Sequence, residues 1–357
     1  MSHLALQSFA IKLSYRSNKG RFLVKRFFLS LVAVGVATLM SQTASAACGS
    51  VTIADMNWAS ATFMAHVDKI ILEKGYGCDV SIVPGDTMPT FTSMNEKGEP
   101  DVAPEVWTNA MRGPLQIAFD EGRLHAANPN PITGLGEGWW IPPKTAEEHP
   151  ELKTVLDIIE HPELFPYKED PSKGAFVTCP AGWGCQLTNA NLFRAFKMEE
   201  KGWVLVDPGS SAGLNGSIAK AADSGENWFG YYWSPTAIIG KYKMVPVPFG
   251  VDFAGSENWD GCIVKPEQEC ADPKPSSWTK SEVQTIVTDG FMKQGGEAND
   301  YLAARVYPGP IMNGMLVYME DNQADGADAA VEFLTTHEDV WTPWVSADVA
   351  AKVKAGL

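Results

Sequence analysis

Between residues 51 and 83 the spacing of apolar positions changes twice. VTIADM alternates as a strand does, a run from about Ser60 to Lys74 has helical spacing, GYG breaks it, and DVSIV alternates again. Strand, helix, turn and strand in that order predict a βαβ unit, and with it a parallel sheet covered by helices. EPDVAPEVW (99–107) predicts the next strand and its exit turn, followed by a helix over about 109–123 that ends at Gly122-Arg123. A second series follows: WWIPP, a helix around 152–159, strand AFVT, a cysteine-bracketed loop with its helix to about Glu200, strand WVLV, a helix over 212–223 and strand NWFGYYW. Helical runs at 279–304 and 325–345 close the chain.

NPNPITGLGEG (128–138), rich in Pro and Gly, and VPVPFGVDF (245–253) read as crossings between two lobes. An acidic, Pro-rich loop occupies 254–278. The expected architecture is α/β, with lobe I at 47–131 and 246–357 and lobe II at 132–245. One large α/β domain with long loops is the alternative.

Residues 1–46 break from this pattern. Six of the 28 basic residues (Lys12, Arg16, Lys19, Arg21, Lys25, Arg26) and none of the 43 acidic ones lie there, ahead of FFLSLVAVGVATLM and Ala44-Ser45-Ala46. A charged start, a short apolar core and a small-residue cleavage site predict a secretory signal peptide. The apolar run is shorter than the ~20 residues of a bilayer span. Without the leader the chain is more acidic than its formal charge of −15. That balance argues against nucleic acid or an anionic membrane surface as partner. About 310 residues also exceed what one core comfortably holds.

All six cysteines follow the leader, and an even count in an oxidising compartment points to disulfides. Fifteen pairings are open. Local spacing favours Cys179–Cys185 and Cys262–Cys270, and Cys48 and Cys78 precede two strands that could be parallel neighbours. SAAC also resembles a lipoprotein processing site that would acylate Cys48; Ser45 stands where a Leu-like residue is usual, and Cys78 would lose its partner.

The twelve tryptophans change the functional picture. Trp58 and Trp107 follow strands, Trp139 and Trp140 follow the first crossing, Trp183 sits inside CPAGWGC, and Trp233 ends a strand. Ligands of open α/β sheets bind beyond the carboxyl ends of strands, and indole faces are the best side-chain partners for an organic cation. A quaternary ammonium has no N–H to donate and gains little from carboxylates, so a box of such faces suits it. Core filling is the plain alternative for any single Trp, and Trp203, Trp228, Trp259, Trp278, Trp341 and Trp344 are assigned to it. CPAGWGC adds glycines that let backbone approach closely. Its helix start would leave the N–H groups of Gly184, Cys185 and Gln186 free for a carboxylate.

CPAGWGC, GYYWSPT and the VWTNAM segment resemble the glycine betaine/proline betaine binding proteins of ABC transporters, in order over nearly the whole mature chain. The resemblance implies a two-lobed periplasmic-binding-protein fold (type II-like), two α/β lobes joined by two hinge strands and closing on a Trp cage. Cage positions fall on Trp107, Trp183 and Trp233, and carboxylate-binding amides on Gly184 and Cys185. Trp58, in a segment similar to choline-binding relatives, adds a fourth wall, and one of Trp139 and Trp140 could face the ligand. Some members bind the carboxylate with a histidine four residues past the first cage Trp. Here that position is Met111, and the neighbouring Arg112 is the candidate substitute.

Other chemistries are less well supported. Gly209-Ser210-Ser211-Ala212-Gly213 matches a nucleophile elbow between strand and helix, but Ser210 also reads as a helix cap and only His337 could complete a triad. Asp321, Asp325, Gly326 and Glu332 approach a calcium loop, with a helix start as the simpler reading. His66, His125, His149 and His161 show no ligand spacing, and no metal or cofactor is expected. The sequence reading is a periplasmic binding protein of an ABC importer, not an enzyme, that docks on the transporter's membrane subunits. Its expected ligand is glycine betaine or a related quaternary ammonium zwitterion. Choline, carnitine or dimethylsulfoniopropionate on the same fold are the alternatives, and a secreted hydrolase using Ser211 is the distant one.

Overall fold

The computed structural model describes residues 48–357; the expected signal peptide lies outside them. Its strands in chain order are β1 (Ser50–Met56), β2 (Asp79–Gly85), β3 (Val102–Trp107), β4 (Leu124–Asn128), β5 (Gly136–Ile141), β6 (Pro166–Tyr167), β7 (Asp170–Val177), β8 (Trp203–Val206), β9 (Gly230–Ser234), β10 (Val245–Pro246) and β11 (Val283–Thr288). They form two sheets, ordered β2-β1-β3-β11-β4 and β10-β5-β9-β7-β6, with β8 paired to β7.

The βαβ start is as the periodicity requires: β1 and β2 are parallel with Ser50 opposite Asp79, joined by the helix Ala59–Ile70. Cys48 and Cys78 sit just before the paired strands and are bonded, Cα to Cα 5.3 Å. Cys179–Cys185 and Cys262–Cys270 are also disulfides.

Two elements depart from the sequence reading. Residues 283–288, within the expected helical run 279–304, form β11, antiparallel to both β3 and β4. VQTIVT has five β-branched residues in six, and all but Gln284 are buried. Those stiff side chains suit a buried pleat better than a helix. The second departure concerns 245–253. Val245 and Pro246 pair with Ile141 and Trp140, the Val247 N–H donates to the Trp139 carbonyl (2.8 Å), and Phe249 packs on Trp139. The loop beyond stays with the second sheet too, where the Asn191 amide donates to the carbonyls of Ile263 (2.9 Å) and Lys265 (2.8 Å). The chain regains the first sheet only at β11.

Aromatic rings fill the second sheet's core, with Trp139 against Phe176, Phe229 and Phe249. The C-terminal helices cover the first sheet around Phe63, Tyr307, Phe333 and Trp344. Asp68 and Arg305 form a fully buried ion pair in this half (2.9 Å).

Candidate ligand-binding site

The ends of β1, β3, β7 and β9 converge on one cavity of about 430 Å³, counting its mouth. Trp58, Trp107, Trp183 and Trp233 all line it, together with Gly184 and Cys185. Trp183 is the shared corner: its ring meets Trp58 at 5.3 Å and 73°, and Trp233 at 5.1 Å and 80°. Near-perpendicular walls are how a box differs from a stack. Tyr231, one pleat repeat from Trp233, adds a face, and Trp278 packs on Tyr231 at 5.4 Å.

The indoles are held from behind. Trp58 and Trp107 each donate their Nε1–H to Glu105 Oε1 at 2.8 Å, and the Ser60 hydroxyl donates to the same oxygen at 3.0 Å. Glu105 is fully buried, and burial raises its carboxyl above the ordinary range, against the lowering effect of the three hydrogen bonds. Trp183 donates its Nε1–H to Asn57 Oδ1 at 2.6 Å, and Asn57 donates to Asp86 Oδ2 (3.2 Å).

The disulfide ring 179–185 delivers Trp183 and starts the helix Gly184–Ala195. Gly184 and Cys185 keep backbone N–H groups without a protein acceptor, whereas that of Gln186 donates to the Trp183 carbonyl (3.2 Å). The ring glycines answer to the facing half of the protein as well as to any ligand. A Cβ on Gly182 would lie 2.6 Å from Asp86 Oδ2, and one on Gly184 would lie 2.5 Å from Ala110 Cβ. The Gly182 carbonyl also accepts from the Met88 N–H (3.2 Å). Gly184→Ala should therefore wedge the halves apart and weaken every ligand by a similar factor, about 1–3 kcal/mol for overpacking. Titration with two unlike ligands checks this, since a ligand-specific loss would instead mean direct contact.

Three expected positions lie elsewhere. Trp139 shares a face with Glu137 but sits one pleat repeat deeper in the core, donating to Asn189 Oδ1 (2.9 Å); Trp140 faces the other way and donates to the Tyr232 carbonyl (2.9 Å). Arg112 turns from the cavity to Asn109 Oδ1 (3.0 Å), Thr279 Oγ1 (3.1 Å) and the Lys280 carbonyl (3.2 Å). Met111 is buried in the core.

Sequence reasoning missed Glu137, Tyr231 and Trp278. Glu137 lies opposite Trp233 in the antiparallel β5–β9 pair, a register no local pattern reveals. Its carboxylate accepts from the Tyr231 hydroxyl (2.9 Å) and the Asn109 amide (2.7 Å), and burial pushes its pKa up. Of the competing motifs, Ser210 caps the helix Ser211–Ser224 by accepting from the Gly213 N–H, and His337 pairs with Thr336. Asp325 and Asp328 form a reciprocal helix cap.

Residues 49–336 match the substrate binding domain of ABC-type glycine betaine transport systems. The chain belongs to this family. Its fold also recurs in solved structures. A choline binding protein of an ABC transporter, in complex with choline, superposes with a TM-score of 0.67 at 20% identity, covering 87% of this chain and 98% of that one. A glycine betaine/L-proline-binding protein from Borrelia burgdorferi gives 0.66 at 16% identity, covering 85% and 99%. Lactococcal OpuAC, closed on glycine betaine, gives 0.63 at 17%, covering 84% and 100%. The chain is thus an α/β substrate-binding protein of an ABC-type transport system, with the fold of these binding proteins.

Proposed function

We infer that the protein captures a small quaternary ammonium compound in a cage of Trp58, Trp107, Trp183 and Trp233, with Tyr231 and Trp278 completing the walls. The observation that carries this is the meeting of four indoles in one cavity, Trp58 and Trp107 from the half of the first sheet and Trp183 and Trp233 from that of the second. A methylated cation sheds little hydration on entering such a cage, whereas ammonium or sodium sheds much, so the aromatic faces select by differential desolvation as well as by cation–π attraction. The lobes we draw around the two sheets hinge at 128–136 and between Trp278 and Val283. The protein works by binding and release rather than catalysis, in the periplasm after removal of its signal peptide.

Two observations pull the anionic end of the ligand in opposite directions. The free amides of Gly184 and Cys185 at a helix start favour a carboxylate, as in glycine betaine. Glu137, also at the cavity wall, repels a carboxylate and favours a hydroxyl, as in choline. The helix amides and the disulfide-fixed loop support glycine betaine or a close relative as first reading, and Glu137 supports choline as second.

Calorimetric titration against glycine betaine, choline, carnitine and dimethylsulfoniopropionate separates them, with quenching of Trp fluorescence as the parallel signal. Choline affinity should fall on acidification as Glu137 loses its charge, because the cation favours the ionised form. Glycine betaine affinity should fall less than choline affinity, because protonation of Glu137 also relieves its repulsion of the betaine carboxylate. A protein that binds none of the four, and whose fluorescence none of them moves, does not have this function.

A further inference from the structure

Glu105 reaches no cavity surface, yet one of its oxygens holds two cage walls. Trp58 and Trp107 come from different strands, and their indole N–H groups converge on Oε1 with the Ser60 hydroxyl. The other oxygen, Oε2, is buried with no hydrogen-bond partner. The cation nearest in effect, Arg305, is itself engaged with Asp68 at 2.9 Å and with Thr285 at 2.9 Å. Glu105 is thus a buried acceptor without a dedicated countercharge of its own, set behind two aromatic rings.

A hydrogen bond from an indole N–H to an anion pushes electron density into the ring and deepens the negative potential over its faces, which is what attracts a cation. The same bonds fix the angle of both rings before any ligand arrives, so little side-chain entropy remains to be lost on binding. Resting on the onium-binding reading above, we propose that Glu105 is a positioning residue that makes the cage charge-selective: its carboxylate orients Trp58 and Trp107 and polarises them, so that the bound onium supplies the missing positive charge through the rings. A packing role alone would need only an acceptor at Oε1, and a neutral amide oxygen would serve.

Glu105→Gln keeps an acceptor oxygen within reach of both indoles and removes the charge. The probes are choline and its uncharged isostere 3,3-dimethylbutan-1-ol, with the isostere's affinity read by competition at concentrations up to solubility. The wild-type protein should bind choline far more tightly than the isostere. In Glu105→Gln, choline should weaken by roughly tenfold or more while the isostere changes by less than about threefold, narrowing the ratio. Equal loss for both ligands, or choline affinity within twofold of wild type, overturns the proposal. Glu105→Asp guards against a folding defect: it keeps the charge but shortens the reach, so it should weaken both ligands while retaining preference for the cation. A Glu105→Asp protein whose ratio collapses like that of Glu105→Gln also refutes the charge argument. If wild type binds neither choline nor glycine betaine, the onium reading has failed, which is a different result from an unchanged ratio in a protein that binds.

Discussion

Trp183→Ala should weaken quaternary ammonium binding by at least ~1–3 kcal/mol, the largest loss of any single cage residue. The expectation rests on position. Trp183 is the only cage ring in edge-to-face contact with two other walls, Trp58 at 5.3 Å and Trp233 at 5.1 Å, so its removal opens the corner of the box and admits water to both neighbours. Its Nε1–H also spans the two halves to Asn57 at 2.6 Å, so part of the loss falls on closure rather than on ligand contact. Trp183→Phe separates the parts, because it keeps an aromatic face and drops the N–H. It should retain a measurable share of the affinity, and Asn57→Ala in the wild-type background should reproduce most of what Phe loses. Calorimetry on the three variants checks the partition. Unchanged affinity in Trp183→Ala would take this ring out of the site, and the disulfide loop that carries it would then be only a structural clip.

Why that ring could be singled out in advance, and other residues could not, is a matter of which contacts are local. β1, its helix and β2 follow from apolar spacing within 35 residues; the cage tryptophans at 58, 107 and 233 stand at or just past strand ends, and Trp183 stands inside a short cysteine ring, each recognisable from its own neighbourhood. Glu137 became a cavity residue through pairing with Trp233, almost a hundred positions away, and Trp278 through a Pro-rich segment without periodicity. Glu105 left a faint trace, a lone charge inside the apolar strand VAPEVW two residues before Trp107. On a pleat, residues two apart share a face, so that charge had to be buried beside the indole and required partners. β11 shows the limit most clearly. Its β-branched residues were visible, but only the gap between β3 and β4 decides that they extend rather than coil.

The distant contact with the greatest expected effect on stability is the Asp68–Arg305 pair. Arg305 faces Asp68 as an ion pair, Nε to Oδ1 2.9 Å, and donates from Nη2 to Thr285 Oγ1 at 2.9 Å; Thr285 donates on to the Pro104 carbonyl (2.8 Å), and the Tyr301 hydroxyl donates to Asp68 Oδ1. These bonds join the helix Ala59–Ile70, β3, β11 and the C-terminal helices, the pieces that local patterning leaves unconnected. Arg305→Ala should cost about 3–5 kcal/mol in urea unfolding, because Asp68 stays behind as an uncompensated charge in a dry interior. Replacing both members with apolar residues of similar size, Asp68→Leu with Arg305→Met, should recover much of that loss, since the penalty belongs to the orphaned charge more than to the missing attraction. A single mutant that unfolds no more easily than wild type would mean that water reaches Asp68.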